Sequence, residues 1–169
     1  MKLTKRGEYA LRALISLASA REAGIDLLPL KEIVAHENIP LPFLEQIFFQ
    51  LREAGIVDGK RGKNGGYFLS KPPSTISMGE VVRIIDGPLA PVGCVSHTAY
   101  SKCSCPDEEH CGLRLLMLDV RNAIADILDR YSLEQAVSAA HQKLLLDGKP
   151  LPYSQFQRNV PPIVTDYQI

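Results

Sequence analysis

Four cysteines, Cys94, Cys103, Cys105 and Cys111, fall within 18 residues, and His97, Asp107, Glu108, Glu109 and His110 stand among them. Thiolates are soft donors that favour zinc, Cu(I) or iron–sulfur clusters. Four of them suffice for a closed tetrahedral zinc site, and two neighbouring thiols suffice for a metal-free redox switch. A single cysteine often serves only as a small buried apolar side chain. Four within one short loop point instead to ligands or reactive thiols. The N-terminal Met1-Lys2-Leu3-Thr4-Lys5-Arg6 leads into an amphipathic stretch, not an apolar signal core, and no run of 18 apolar residues occurs. The expected compartment is therefore the reducing cytoplasm, with no membrane partner, where a structural disulfide framework is disfavoured.

A second group of residues has the chemistry of nucleic-acid contact. Lys60, Arg61 and Lys63 sit among Gly59, Gly62, Gly65 and Gly66. Glycine lets backbone approach a phosphate closely, and the cations neutralise phosphates or enter a minor groove. A nucleotide-binding loop would need Gly-Lys-Ser/Thr opening a helix, which this tip lacks. Upstream, Pro42, Glu45, Gln46, Phe49 and Gln50 share the outward face of a helix; glutamine pairs with adenine, and glutamate accepts from the cytosine amino group. The same side chains also fit an ordinary solvated helix face. Lys2, Lys5 and Arg6 add positive charge near the N-terminus. Net charge is zero, but residues 1–71 carry 11 Lys and Arg against 8 Asp and Glu, and the remainder carries 8 against 11. The basic half is the half that holds the candidate DNA contacts.

The elements that position these residues follow from periodicity. Leu11, Leu14, Ile15 and Ala18 predict a first helix over 4–20, stopped near Gly24. A second helix over 30–37 and a third over 41–55 flank a short break at Asn38-Ile39-Pro40, the helix-turn-helix pattern. Pro42 is tolerated in the first turn, and Leu44, Ile47, Phe48 and Leu51 form one core face. Ile56-Val57 and Tyr67-Phe68-Leu69 flank the glycine-rich tip as a hairpin, which makes a wing. Another helix is expected over 74–85, capped by Ser77. Leu113, Met117, Val120, Ile124, Ile127 and Tyr131 repeat with a period of about 3.5, a coiled-coil seam on one long helix over 112–131. Ser132 and Gln135 form a capping box for a final short helix. The expected organisation is a mainly α chain with a small β-hairpin wing. A winged helix-turn-helix domain (1–87) precedes a cysteine loop (88–111), a dimerisation helix with a short C-terminal helix (112–147), and a tail with Pro150, Pro152, Pro161 and Pro162 (148–169). The tail is expected to be extended or disordered, or to lie along a neighbour.

The opening Met1-Lys2-Leu3-Thr4-Lys5-Arg6-Gly7-Glu8-Tyr9-Ala10, the segment Leu44-Glu45-Gln46-Ile47 and the wing Arg61-Gly62-Lys63-Asn64-Gly65-Gly66-Tyr67 resemble the Rrf-two family of bacterial transcription regulators, over about residues 1–145. The resemblance implies a winged-helix homodimer crossed by its long helices, acting as a repressor or other regulator on a palindromic operator in double-stranded DNA. Cluster-binding members of that family carry three cysteines before the long helix. Cys94, Cys105 and Cys111 match them by placement, with Cys103 as an extra and alternative middle ligand. The implied cofactor is an iron–sulfur cluster, [2Fe–2S] or [4Fe–4S], with zinc as the alternative. The fourth ligand varies in the family; Glu8 acting in trans, His97, His110 and the extra cysteine are the candidates. A redox metalloenzyme around the same cysteines is the competing class, but no Ser-His-Asp order, phosphate loop or His-Glu metal motif is present, so no catalytic residues are expected.

Overall fold

The computed structural model describes residues 3–155 of the chain. Thr4 has extended backbone, and its hydroxyl accepts from the Gly7 N–H at 3.1 Å, satisfying one of the orphan donors that open α1 (Lys5–Glu22). Asp86 fixes this start from outside, accepting from the Thr4 N–H at 2.9 Å and from its hydroxyl at 2.5 Å. A Cβ at Gly7 would fall 2.3 Å from the Asp86 carboxylate, so a side chain there would displace that tie. Along α1, Ala10, Ala13, Leu14, Leu17, Ala18 and Ala20 are buried. The small residues let four other helices approach it: α2 (Leu30–Glu37), α3 (Leu41–Glu53), α4 (Met78–Asp86) and α6 (Leu133–Leu146).

The turn between α2 and α3 passes through Asn38 in the left-handed region, φ 52° and ψ 47°, which asparagine tolerates better than most residues. Pro40 then precedes α3, whose Leu44, Ile47, Phe48 and Leu51 are wholly buried. The strands β1 (Val57–Lys60) and β2 (Gly66–Leu69) pair antiparallel, from Val57 opposite Leu69 to Lys60 opposite Gly66. Leu28 adds a single bridge to Tyr67 on the outer edge, with N–H to O distances of 3.0 and 2.9 Å. The fold class is the mainly helical, hairpin-winged one expected.

Two expectations are corrected. The stretch 74–85 is not one helix: a 3-10 turn (Pro73–Thr75) is followed by extended, buried Ile76, and α4 begins only after Ser77, whose hydroxyl accepts from the Glu80 N–H. The cause is long-range. The Ile76 carbonyl accepts from the Leu133 N–H at 2.8 Å, and the Met78 N–H donates to the Tyr131 carbonyl at 2.9 Å, so backbone groups at this junction pair with the start of α6. The second correction concerns the tail. Tyr153 is buried and its ring stacks on His36 of α2, with centroids 5.0 Å apart, so residues 148–155 return to the body of the protein. Burial of an aromatic ring supplies the driving force; Pro161 and Pro162 lie outside the described residues.

The long helix α5 (Gly112–Arg130) runs to the Ser132/Gln135 capping box that opens α6. Within the described residues it buries none of its side chains. A bidentate pair, Arg83 to Asp129 at 2.6 and 2.7 Å, ties it to α4.

Gly66 generates a test of the wing. A Cβ there would stand 2.7–3.0 Å from Leu28 backbone atoms, which cannot swing aside. Gly66→Ala is expected to cost about 1–3 kcal/mol and lower the thermal midpoint by several degrees in calorimetry. An unchanged midpoint would show that the Leu28 edge is not held as described.

Candidate nucleic-acid interface and cysteine loop

On α3, Pro42, Glu45 and Gln46 are exposed, Gln50 is half-buried, and Phe49 is 65% exposed. Gln50 is not free: Arg6 of α1 donates to its Oε1 at 2.7 Å. Reading adenine needs both the oxygen and the nitrogen of a glutamine amide, so Gln46 is the unencumbered reader and Gln50 the one held by Arg6. Arg6 itself lines a shallow depression with Glu45, Gln46, Phe49 and Gln50. A larger groove of about 670 Å³ runs between α3 and the wing. Glu45, Phe49 and Arg52 lie on its helix side; Lys60, Arg61 and Lys63 lie on its wing side. The three wing cations are exposed and make no ion pair among the described residues. Lys5, by contrast, is taken up by Glu8 at 2.6 Å. Lys2 lies outside the described residues.

Sequence reasoning missed Arg52, which pairs with Asp58 at 3.0 Å and so sets the position of β1 against α3. Its signal was available, because Glu45, Phe49 and Arg52 fall at i, i+4 and i+7 on one face. It also missed the exposed Leu41 and Phe43, the latter edge-on to Tyr9 at 5.9 Å. Apolar side chains on this face suit contact with thymine methyl groups.

The cysteine loop brings its thiols into one chain of neighbours. Cys94 is buried on a 3-10 turn (Gly93–Val95), and burial, followed by the nearby Cys103, pushes its thiol up. Cys103 also lies against Cys105, whose Sγ stands 3.9 Å from that of Cys111. Cys103 and then Cys111 push Cys105 up to about 12, because a thiolate there would compete with them for the same few protons. Cys111 is the residue preceding α5, and the backbone N–H of Arg114 holds its thiol below the usual range. Cys103 thus stands beside both Cys94 and Cys105. Several thiolates this close need a cation among them, and in kind the donors suit an iron–sulfur cluster or zinc. Among the described residues, however, no three His, Cys, Asp or Glu side chains converge closely enough to hold one metal ion.

Within this chain the histidine and glutamate candidates for a fourth ligand have other neighbours. His110 is largely exposed with Nδ1 2.8 Å from Asp107, and His97 lines a separate cavity. Glu108 is engaged by Tyr100 at 2.9 and 3.0 Å and by Arg114 at 3.5 Å. Glu8 pairs within its own chain with Lys5 and with Arg12 at 3.3 Å; the Lys5 hydrogen bond, above all, holds its carboxyl below the usual range.

The Rrf2 family profile, described as an iron-dependent transcriptional regulator, matches residues 3–139. This chain belongs to the Rrf2 family. It is 40% identical over 149 residues to an rrf2-like HTH-type transcriptional regulator of Rhodobacter capsulatus, covering 86% of this chain and 99% of that one. The solved structure of CymR, the global cysteine regulator of B. subtilis, superposes with a TM-score of 0.69 at 32% identity, over 82% of this chain and 98% of that one. IscR of T. potens superposes with a TM-score of 0.66 at 25% identity, over 85% and 90% of the two chains. The protein is thus a winged-helix, DNA-binding transcription regulator and not an enzyme. No helix among the described residues is long and apolar enough to cross a membrane.

The environments of Cys105 and Cys111 predict an order of reactivity. The thiolate is the nucleophile, so in metal-free protein Cys111 is expected to alkylate first at pH 7–8. Cys105, with its thiol near 12, should remain the slower partner and gain about tenfold in rate per pH unit up to that value. Timed iodoacetamide labelling with peptide mass spectrometry reads this; faster labelling of Cys105 would contradict the geometry.

Proposed function

We propose that the protein is a homodimeric regulator that reads a two-fold-symmetric operator, and that its cysteine loop carries an iron–sulfur cluster whose state sets DNA affinity. The observation that carries the DNA reading is the groove with free cations on its wing side and exposed Glu45, Gln46 and Phe49 on its α3 side. In this reading α3 enters the major groove, and Lys60, Arg61 and Lys63 meet phosphates or the minor groove. Residues 1–87 act as the DNA-binding unit, 88–111 as the sensor loop and 112–147 as the dimerisation unit. The dimer is supported by α5, whose Leu113, Leu116, Val120 and Ile127 stand exposed within this chain, as does Tyr131 just after it. A stripe of that size on a soluble helix calls for a partner, and its spacing suits a second copy of itself. Such a regulator works in the cytoplasm, on the DNA.

If a dimer neutralises about six phosphates, affinity for the DNA upstream of its own gene should fall roughly a thousandfold between about 50 and 200 mM salt. Arg61→Ala should weaken binding at every salt concentration and flatten that slope. Anisotropy measurements indifferent to both salt and Arg61 would remove the wing from the interface.

The cluster reading rests on four neighbouring thiols at the entrance to α5, and on the IscR relatives. Cys94, Cys105 and Cys111 are the assigned ligands, with Cys103 the alternative middle one. When bound, the cluster would supply a redox- and nitric-oxide-sensitive centre. Glu8 would have to leave Lys5 and Arg12 to serve a partner's cluster, a modest demand because exposed ion pairs are weak. The chain's own part is positional. Cys111 adjoins α5, Asp129 of α5 holds Arg83 of α4, Asp86 of α4 holds Thr4, and Arg6 two residues on holds Gln50 of α3. A second reading, a metal-free thiol pair, is favoured by the 3.9 Å approach of Cys105 to Cys111.

Anaerobically purified protein is expected to contain iron and acid-labile sulfide and to absorb in the visible, and Cys94→Ala, Cys105→Ala and Cys111→Ala should each lose both. One zinc per chain without colour would replace the cluster with structural zinc. Retention in Cys105→Ala with loss in Cys103→Ala would exchange the middle ligand.

A further inference from the structure

Gln46 and Gln50 stand one turn apart on the outward face of α3, and both line the shallow depression that also holds Glu45, Phe49 and Arg6. Gln50 differs from Gln46 in being held from outside the helix: Arg6 of α1 donates from Nη2 to its Oε1 at 2.7 Å. That bond settles which way the amide points. A guanidinium carries five N–H donors and no acceptor, so only the amide oxygen can face it. The amide nitrogen is then turned away from Arg6. It makes no hydrogen bond among the described residues, yet it is not sealed from solvent; the buried side-chain nitrogens without a partner are Arg6 Nε and Arg121 Nη2. Gln50 therefore shows an open N–H pair on this face. Arg6, with its Nε buried, is packed against the protein rather than extended outward.

We propose that Arg6 is a positioning residue that makes Gln50 a one-way donor, and that Gln50 thereby reads guanine in each half-site. The assignment rests on α3 entering the major groove. A free glutamine offers oxygen and nitrogen together and pairs with the N6 amino group and N7 of adenine. Here the oxygen is drawn toward α1, and an adenine amino group approaching it would have to share it with a cation. The nitrogen is left foremost. Guanine presents only acceptors, N7 and O6, on its major-groove edge, and so answers a donor; thymine offers the single acceptor O4 beside a methyl group. A phosphate would also accept, but the exposed carboxylate of Glu45 lines the same depression and repels it. A charge-assisted hydrogen bond is stronger than a neutral one, so the amide is fixed before DNA arrives.

The test is selection of binding sites from random-sequence duplexes by the full-length protein, followed by titration of every single-base variant of the selected site. Wild type, Gln50→Glu and Arg6→Met are compared. The wild type is expected to prefer guanine over adenine roughly tenfold at one symmetry-related pair of positions. Gln50→Glu still gives Arg6 an oxygen but exposes an acceptor where the wild type exposes a donor. Guanine at that pair should give way to cytosine, whose amino group donates. Arg6→Met frees the amide to turn, so adenine should rise to match guanine there while the other positions keep their preferences. Lost charge or lost stability would weaken all sequences alike, so a change confined to one pair of positions marks positioning. If Arg6→Met does not fold, Gln50→Glu decides the matter. Unchanged preferences in the folded variants, or a Gln50→Glu protein that cytosine-bearing DNA does not rescue, would overturn the proposal while wild-type binding keeps the groove reading intact. A wild type that enriches no site would overturn both.

Discussion

Everything in this molecule leans on the first helix, because α1 must bury its small-residue face against α2, α3, α4 and α6 at once. Ala10, Ala13, Ala18 and Ala20 keep the partners close, and Leu14 and Leu17 fill what remains. Full burial of each leucine contributes about 1.5–3 kcal/mol, and larger residues at the alanine positions would push the helices apart. The ends of α1 carry polar ties. Thr4 and Gly7 meet Asp86 at one end, while His141 of α6 reaches Ser19 and Glu22, both at 3.1 Å, at the other.

The rest of the chain is arranged around what α1 leaves uncovered. The outward face of α3 and the wing tip are left to solvent, and Arg6 and Arg52 hold that face in place through Gln50 and Asp58. Among the described residues no side chain of α5 is fully buried, and an apolar stripe along it stays exposed. The cysteine loop enters α5 directly. A displacement at Cys111 would act directly on the first turn of α5. Val95 and Arg121 add a second hold on the same joint.

Local signals were legible where the cause was local. The i, i+3, i+4, i+7 spacing of Leu44, Ile47, Phe48 and Leu51 marked α3, the Ser132/Gln135 box marked α6, and glycines around Lys60–Lys63 marked the hairpin. What stayed hidden depends on contacts far along the chain. Ile76 is extended because its carbonyl meets Leu133, 57 residues later. Tyr153 is buried because His36 is there to stack on, and no pattern in a proline-bearing tail announces that. The thiol set was legible in composition; the match to the family's spacing picked Cys105 as the middle ligand, and the folded loop also sets Cys103 beside Cys94 and Cys105. Likewise Glu8 looked available for ligation, and its engagement by Lys5 and Arg12 belongs to the folded helix.

The central proposal is that two copies of the α3–wing groove, set by a shared α5 seam, read DNA symmetrically. Hydroxyl-radical footprinting of the wild-type protein on the DNA upstream of its own gene tests it most directly. The account predicts two protected patches related by a dyad, with centres about 34 Å apart or a multiple of that along the duplex. A single patch, or protection with no dyad, would contradict it.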